Sequence, residues 1–186
     1  TSAEMVAHVR APRPLLLLVP AGDAVDSVIA ELRPLIEKGD LIIDAGNGNF
    51  HNTRERTKAL EADGYAFLGL GVSGGSEGAR HGPAIMAGGS PALWSRVEEP
   101  LKAISAKHNG EACCEWFGPD GAGHFVKTIH NGIEYADMQM IAEAYGVMRD
   151  GLGMQAGEIG AVFQRWNEGP LGSFLIEITG QTAQIA

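Results

Sequence analysis

The chain has 186 residues, a net charge of −9 and an apolar content of 45%. The apolar content excludes a disordered chain, and the length suits one domain, or one domain and part of another. The negative charge argues against nucleic acid and anionic membranes as partners, although a local phosphate site is compatible with it. No apolar run approaches the ~20 residues of a membrane span, and no secretory signal is visible.

Cysteine usage and the first residue add two expectations. The only cysteines, Cys113 and Cys114, are adjacent and poorly placed to bridge each other, so we expect a reducing, cytoplasmic location. No CxxC pair or spaced His/Cys cluster predicts a metal site. The chain begins at Thr1, in a helix-like segment, and we expect it to lack its natural start.

Strand and helix signals alternate through the first part of the chain. Apolar runs predict strands near 15–19, 41–45, 66–72, 84–87 and 112–117. Helical spacing predicts helices near 23–37, 52–63 and 91–107, the first of which Pro34 should kink or shorten. This alternation predicts an α/β fold whose parallel sheet is covered on both faces.

Three of the predicted strands end in small or glycine-rich residues, namely Val19–Gly22, Asp44–Gly48 and Val72–Gly75. Ligands of open α/β sheets bind at the carboxyl ends of the strands, where small residues let the backbone approach them. No GxGxxG follows the first visible strand. The chain therefore either binds no dinucleotide or lacks the first βαβ unit, and the start at Thr1 favours the second alternative.

The composition changes at Gly118–Gly123, which predicts one domain over 1–120 and another over 121–186. A long helix is predicted over 124–149, and shorter helices near 155–167 and 170–182. The long helix should bury a stripe at helical spacing, formed by Val126, Ile129, Ile133, Ala136, Met140, Ala144 and Met148. These helices resemble the start of an all-helical domain.

Polar residues crowd the beginning of that long helix. Lys127, Asn131 and Glu134 are spaced i, i+4 and i+7 and share one face, with His130 beside it. A rise of 1.5 Å per residue separates Lys127 from Glu134 by about 10 Å, which suits a base and an acid acting on two atoms of one small substrate. In the first turn of the helix, the positive end of the dipole should lower the pKa of Lys127.

Each residue also has a less specific interpretation. Lys127 could extend along the protein surface into water, and Glu134 could be a solvated carboxylate. His130 could be a core histidine, Tyr135 could pack with its phenol tip in water, and Asn47 could simply be a turn residue. His124, Trp94, Trp116 and Trp166 are interpreted as packing residues.

Three blocks of the sequence resemble the decarboxylating 6-phosphogluconate dehydrogenases: Ile43–Asn47, Gly71–Gly89 and Gly121–Tyr135. The third block is a highly specific signature, and Ser173–Thr179 is similar as well. The resemblance covers essentially the whole chain but only the middle of the family's chain. It implies a partial Rossmann-like doubly wound sheet without its first βαβ unit, followed by the start of an all-helical domain.

The resemblance also implies a role for each matching residue. Lys127 would be the general base and Glu134 the general acid. Substrate contacts are implied at Asn47, Ser73, Gly74, Gly75, His130, Asn131 and Tyr135, the last near the phosphate. Cofactor contacts are implied at Val19, Pro20, Ala21 and Asn47. Pro20 stands where many members carry lysine, which weakens the expectation of a contact there.

The activity implied by the resemblance is the NADP-dependent oxidative decarboxylation of 6-phospho-D-gluconate to D-ribulose 5-phosphate, with a homodimer formed through the helical domain at full length. The 186 residues alone are expected to be inactive, because needed segments are absent. Two alternatives stay open. One is a related 3-hydroxyacid dehydrogenase, which would share Lys127 and Asn131 but not the run His130–Tyr135; the other is a truncated, non-catalytic binding or assembly fragment.

Overall fold

The structure, a computed structural model, describes residues 1–185. It divides into two compact units, Thr1–His130 and Asn131–Ala186, each with a hydrophobic core of its own. The division falls inside one long helix. No helix among the described residues is long and apolar enough to cross a membrane.

The first unit is built on a five-stranded sheet with the order β1-β2-β3-β4-β7. Its elements are α1 (Ser2–His8), β1 (Pro14–Leu17), α2 (Asp23–Leu32), β2 (Leu41–Asp44), α3 (Phe50–Ala62), β3 (Ala66–Ser73), α4 (Gly75–His81), β4 (Ala84–Gly88), α5 (Pro91–Trp94), α6 (Glu98–Ile104), β5 (Lys107–His108), β6 (Glu111–Ala112), β7 (Cys114–Gly118) and the first part of α7 (Ala122–Gly146). Each of the five predicted strands is present, and the predicted α/β class is confirmed.

The sheet is mixed, which corrects the prediction of a wholly parallel one. β1, β2 and β3 are parallel to one another, but β4 runs antiparallel to β3 and β7 runs parallel to β4. A parallel connection needs a crossover of about a dozen residues or more. The segment between Ser73 and Ala84 is shorter than that and contains α4, so the chain turns back beside β3.

Side chains alternate between two cores along the central strands. On β2, Leu41 and Ile43 belong to the core that also contains Trp94 and Leu101, from the segment of α5 and α6. Ile42 points to the other face and joins a core that includes residues of α1, α2 and α3. Because both faces of β2 are covered, this strand reads as a continuous apolar run instead of an alternating one.

The predicted helices are confirmed in position but not in every boundary. Helix α2 ends at Leu32, two residues before Pro34, as the missing amide and the bulk of the proline ring require. The helix predicted over 91–107 is instead two short helices, α5 and α6, followed by the β5–β6 hairpin. Helix α4 occupies a segment for which the sequence predicted no element.

The second unit contains the remainder of α7, a π-helical segment (Val147–Gly151), α8 (Ala156–Asn167) and α9 (Phe174–Ala183). Both shorter predicted helices are therefore present. Met148, Ile159, Phe163 and Ile176 form its core. Helices α8 and α9 approach closely where two glycines meet, since a Cβ on Gly160 would lie 3.0 Å from the carbonyl oxygen of Gly180.

The predicted buried stripe of α7 is wrong for the described part of the chain. Ile129, Ile133 and Met140 are half or more exposed, and of the seven predicted residues only Met148 is buried. Helical spacing identifies the apolar face of a helix, but burial also requires another element to cover that face.

The start of α7 lies unusually close to the sheet. A Cβ on Gly123 would stand 2.4 Å from the carbonyl oxygen of Met86 and 2.5 Å from that of Gly69, and one on Gly88 would stand 2.2 Å from the amide nitrogen of Gly123. These contacts are with backbone, which cannot move aside as a flexible side chain would. Glycine on both surfaces therefore lets the helix backbone rest directly on β3 and β4.

We expect Gly123→Ala to destabilise the chain by about 2 kcal/mol or more, because the new methyl group overpacks against backbone atoms. Urea unfolding measures the change. Gly132→Ala is the matched control on the same helix, where nothing lies within 4 Å of the new Cβ. It should leave stability unchanged or raise it by up to about 1 kcal/mol. Equal stability of the two variants would contradict the close approach.

Candidate active site

Three of the predicted site segments lie at one edge of the sheet. Because β1, β2 and β3 are parallel, their carboxyl ends share this edge, and Val19–Ala21, Asn47 and Ser73–Gly75 follow these ends directly. Val19 and Ser73 are half-buried, whereas Pro20, Ala21, Asn47, Gly74 and Gly75 are exposed. Gly74 has φ +136°, a conformation that favours glycine, and it starts α4.

Lys127 reaches this edge from α7. Its side chain is buried, with 7% of the residue exposed, and its Nζ donates a hydrogen bond to the Oγ of Ser73 at 2.9 Å. The Nδ1 of His130 lies 3.4 Å from the same Nζ. A Cβ on Gly71 would lie 2.4 Å from the Cβ of Lys127, so glycine on β3 makes room for the lysine stem. The structure therefore gathers Lys127, Ser73 and His130 at one point.

The position of Lys127 in the helix differs from the prediction. Helix α7 begins at Ala122, two residues earlier than expected, so Lys127 lies in its second turn. The influence of the helix dipole is strongest within the first turn. Lys127 therefore lies beyond the turn where the dipole acts most strongly, and it is buried with the Ser73 and His130 side chains at its Nζ.

Buried polar groups make hydrogen bonds to the backbone of the loop that carries Asn47. Asp44 is fully buried at the end of β2, and its Oδ1 accepts a hydrogen bond from the amide of Gly46 at 3.0 Å. The carbonyl oxygen of Gly46 lies 3.1 Å from the Nε2 of His124, which is 1% exposed. Both sides of Gly46 are therefore fixed, and Asn47 follows it.

His124 is a buried, uncharged imidazole. Burial lowers its pKa below the ordinary 6.5; Asp44 opposes this shift, and Arg56 adds to it. A carbonyl oxygen can only accept, so Nε2 carries the proton that is donated to Gly46. The neutral ring then accepts at Nδ1, where the Oγ1 of Thr53 lies 2.6 Å away. The prediction that His124 packs in the interior holds, but its polar contacts with Gly46, Thr53 and Leu70 go further than packing.

Arg56 connects the other loops of this edge. Its guanidinium makes a bidentate pair with Asp26 at 2.7 and 2.8 Å and donates to the carbonyl oxygen of Gly22 at 3.1 Å. This hydrogen bonding lowers the pKa of Asp26. Arg56 thereby ties α3 to the loop that begins α2, and its third nitrogen lies 3.8 Å from Asp44.

Asn131, Glu134 and Tyr135 belong to the second unit, where they lie on α7. Asn131 and Glu134 are half-buried, and Tyr135 is 69% exposed. Helix α7 includes both Lys127 and Glu134. Among residues 1–185, no three His, Cys, Asp or Glu side chains lie close enough to hold a metal ion.

Comparison with known proteins identifies the family. Residues 1–118 match the NAD binding domain of 6-phosphogluconate dehydrogenase, and residues 123–185 match the 6-phosphogluconate dehydrogenase C-terminal domain. The chain belongs to the 6-phosphogluconate dehydrogenase family. The family predicted from the three sequence blocks is thereby confirmed.

Individual relatives of the family agree with this assignment. Decarboxylating 6-phosphogluconate dehydrogenases of Schizosaccharomyces pombe and Homo sapiens are each 52% identical to the chain over 177 residues. These alignments cover 95% of the chain but 36% and 37% of the two relatives. The chain thus spans little more than a third of the length of the curated relatives that it matches.

Solved structures resemble the chain at two levels. A Plasmodium falciparum 6-phosphogluconate dehydrogenase, solved apo, with its cofactor NADP+ and with its substrate 6-phosphogluconate, has a TM-score of 0.92 and 42% identity. The match covers 98% of this chain and 39% of that one. A Mycobacterium tuberculosis 3-hydroxyisobutyrate dehydrogenase has a TM-score of 0.74 and 24% identity, covering 95% of this chain and 57% of that one, and at this identity shares the fold alone.

The sequence did not point to Thr53 or Arg56, and it assigned His124 to packing only. All three are buried polar residues; Arg56 and His124 contact loops distant in sequence, and Thr53 contacts the ring of His124. The signal that could have found them is the placement of polar side chains on helix faces that must cover a sheet, since such side chains need partners.

We expect His124 to impose a pH dependence on stability. Below about pH 6.5 the unfolded chain binds a proton at His124 that the folded chain does not bind. The free energy of unfolding should therefore decrease as the pH is lowered, until the pH reaches the lowered pKa of His124 in the folded chain. Above that range the contribution is fully retained. Urea unfolding between about pH 5 and pH 8 measures it. His124→Gln should lose this pH dependence of stability, whereas His108→Gln, at an exposed site, should keep it. Identical pH profiles for the wild type and both variants would contradict the assignment of the pH dependence to His124.

Proposed function

We propose that this chain takes part in the NADP-dependent oxidative decarboxylation of 6-phospho-D-gluconate to D-ribulose 5-phosphate and CO2. One observation supports this proposal above the others: Lys127 is buried at the ligand-binding edge of the sheet, with its Nζ held by Ser73, and α7 continues from it to Glu134. Family membership and the activity of the relatives give the reaction its identity.

The residues present fit the nicotinamide-bearing end of a dinucleotide. The loops after β1 and β2 pack backbone to backbone, since a Cβ on Gly46 would lie 2.9 Å from the carbonyl oxygen of Val19. Val19, Pro20, Ala21 and Asn47 would hold NADP there, although no GxGxxG follows β1. When bound, NADP supplies the acceptor for the hydride from C3 of the substrate.

Lys127 acts first as a general base in this proposal. Its neutral amine removes the proton of the C3 hydroxyl, which makes departure of the C3 hydride possible. The resulting Lys127 ammonium then polarises the C3 ketone, which takes up the electron pair of the C1–C2 bond as CO2 leaves. Ser73 and His130 orient the amine through the contacts at its Nζ.

Glu134 acts as the general acid. It lies seven positions after Lys127, a helical rise of about 10 Å, so it can serve a different carbon of the substrate. It delivers a proton to the carbon that lost CO2, which becomes C1 of the ketopentose. We assign the remaining substrate contacts to Asn47, Ser73, Gly74, Gly75, His130, Asn131 and Tyr135, with Tyr135 near the phosphate.

We also propose a cytoplasmic location and a homodimer formed through the helical domain. The adjacent, unbridged Cys113 and Cys114 support the first, and family membership supports the second. Cell fractionation and sedimentation of the natural gene product, at its natural length, test these two proposals.

We expect Lys127→Met in the natural gene product to lower kcat at least about 100-fold, since it removes the base while keeping an unbranched side chain. Lys127→Arg should not restore turnover, because a guanidinium stays protonated. Steady-state reduction of NADP measures both. Lys58→Met, at an exposed position of α3, is the matched control and should retain normal kcat. Near-normal turnover by Lys127→Met would make Lys127 a structural residue.

We expect Glu134→Gln to slow product formation more than hydride transfer. A single-turnover experiment follows NADPH absorbance beside the appearance of ribulose 5-phosphate, and the pentose should show the larger defect. Glu143→Gln, an exposed position on the same helix, is the control and should slow neither signal. Equal defects in both signals would argue that Glu134 acts before CO2 is lost. The absence of any defect would mean that Glu134 is a solvated carboxylate without a catalytic role.

A further inference from the structure

We propose that His124 is a positioning residue, which fixes the loop Gly46–Gly48, and with it Asn47, relative to Lys127. The inference rests on the proposed function, because it concerns how two residues of that site are held in register. His124 itself is 1% exposed and lies beneath the loop.

The loop is fastened at the residue before Asn47. The amide of Gly46 donates to Asp44 and the carbonyl oxygen of Gly46 accepts from His124, so the peptide groups on both sides of Gly46 have fixed partners. The residue after Asn47 also lies close to the imidazole: a Cβ on Gly48 would lie 3.2 Å from the Cε1 of His124. Asn47 is therefore exposed at the tip of a short loop whose two flanks rest on one ring.

The imidazole of His124 is closely packed between Thr53 and Gly69. Thr53 contacts Nδ1, and a Cβ on Gly69 would lie 2.9 Å from that nitrogen and 2.7 Å from the Cγ2 of Thr53. A side chain on β3 at this point would thus displace the ring. The ring orientation is therefore fixed by α3 on one side and by the sheet on the other.

His124 connects this loop to the lysine. His124 and Lys127 are three residues apart on α7, one helical turn, and both side chains lie against glycines of β3, Gly69 and Gly71. A displacement of the ring would move Asn47 while Lys127 stayed in place. Misplacement of a reacting group by about 1 Å can lower a rate about 100-fold.

Loss of the Nε2 donor would leave the carbonyl oxygen of Gly46 buried without a partner. An unsatisfied buried carbonyl is unfavourable, so the peptide between Gly46 and Asn47 would rotate toward a new partner and take the Asn47 side chain with it. A residue that only fills space would have no such directional consequence.

Two substitutions separate the contacts of the ring. The amide of His124→Gln can reach the Nε2 position and donate to Gly46, whereas the shorter amide of His124→Asn reaches only the Nδ1 position, near Thr53. In the natural gene product, we expect His124→Asn to lower kcat about 10- to 100-fold and His124→Gln to stay within about threefold of wild type. Equal losses in the two variants would overturn the proposal.

A double-mutant cycle shows whether His124 acts through Asn47. In an Asn47→Ala background, His124→Asn should cause little further loss of kcat, because the residue that it positions is already absent. Independent, multiplicative losses would mean that His124 acts by general stability, and would overturn the proposal. If His124→Asn fails to fold, Thr53→Val can replace it in the double-mutant cycle with Asn47→Ala. Thr53→Val removes the hydroxyl that contacts the Nδ1 of His124, with little change of shape.

Nuclear magnetic resonance of the 186-residue chain tests, without any turnover, whether His124 fixes the loop Gly46–Gly48. The backbone and side-chain amide signals of Asn47 should shift and broaden in His124→Asn but not in His124→Gln. Unchanged Asn47 signals in both variants would overturn the proposal. If the wild-type gene product does not oxidise 6-phosphogluconate, the proposed function fails, while these signals still decide whether His124 holds Asn47.

Discussion

The contact between the first turn of α7 and the sheet is the constraint on which the candidate site depends. Gly88 on β4 and Gly123 on α7 bring the strand and helix backbones together, and Gly69 on β3 also makes room for the ring of His124. These contacts therefore fix the distance between the start of α7 and the sheet. Gly71 then makes room for the stem of Lys127, whose Nζ reaches Ser73 at the strand end. A bulkier residue at Gly88 or Gly123 would clash with backbone atoms of this contact, whereas one at Gly69 would displace the His124 ring.

Beneath the loops at the same edge lies a set of buried polar residues. Asp44, Arg56 and His124 are all buried, and each directs a polar atom at a loop backbone. Burial of polar groups is unfavourable unless they are paired, so these groups hold their loops firmly as long as the hydrogen bonds persist. The loops thereby gain rigidity, which a site that orients both a cofactor and a substrate requires.

Much of the fold followed from sequence patterns. Apolar runs located the five strands of the sheet, and helical spacing located α2, α3, α8 and α9, because these elements are set by local periodicity. The reversed direction of β4, the division of the predicted helix 91–107 and the exposure of Ile133 and Met140 did not follow. Each depends on what packs against a segment, and periodicity carries no information about that partner.

By itself the sequence determined the family, through the blocks around Asn47, Ser73 and Lys127, and it determined that Lys127 and Glu134 belong to one helix, because apolar residues recur there at helical spacing. Only the tertiary structure decided that Lys127 is buried against Ser73 and that His124 reaches Gly46 across 78 positions of sequence. Such contacts join residues far apart in the chain. Their existence depends on the depth at which a helix settles on a sheet, which the glycines permit but which no local pattern of residues specifies.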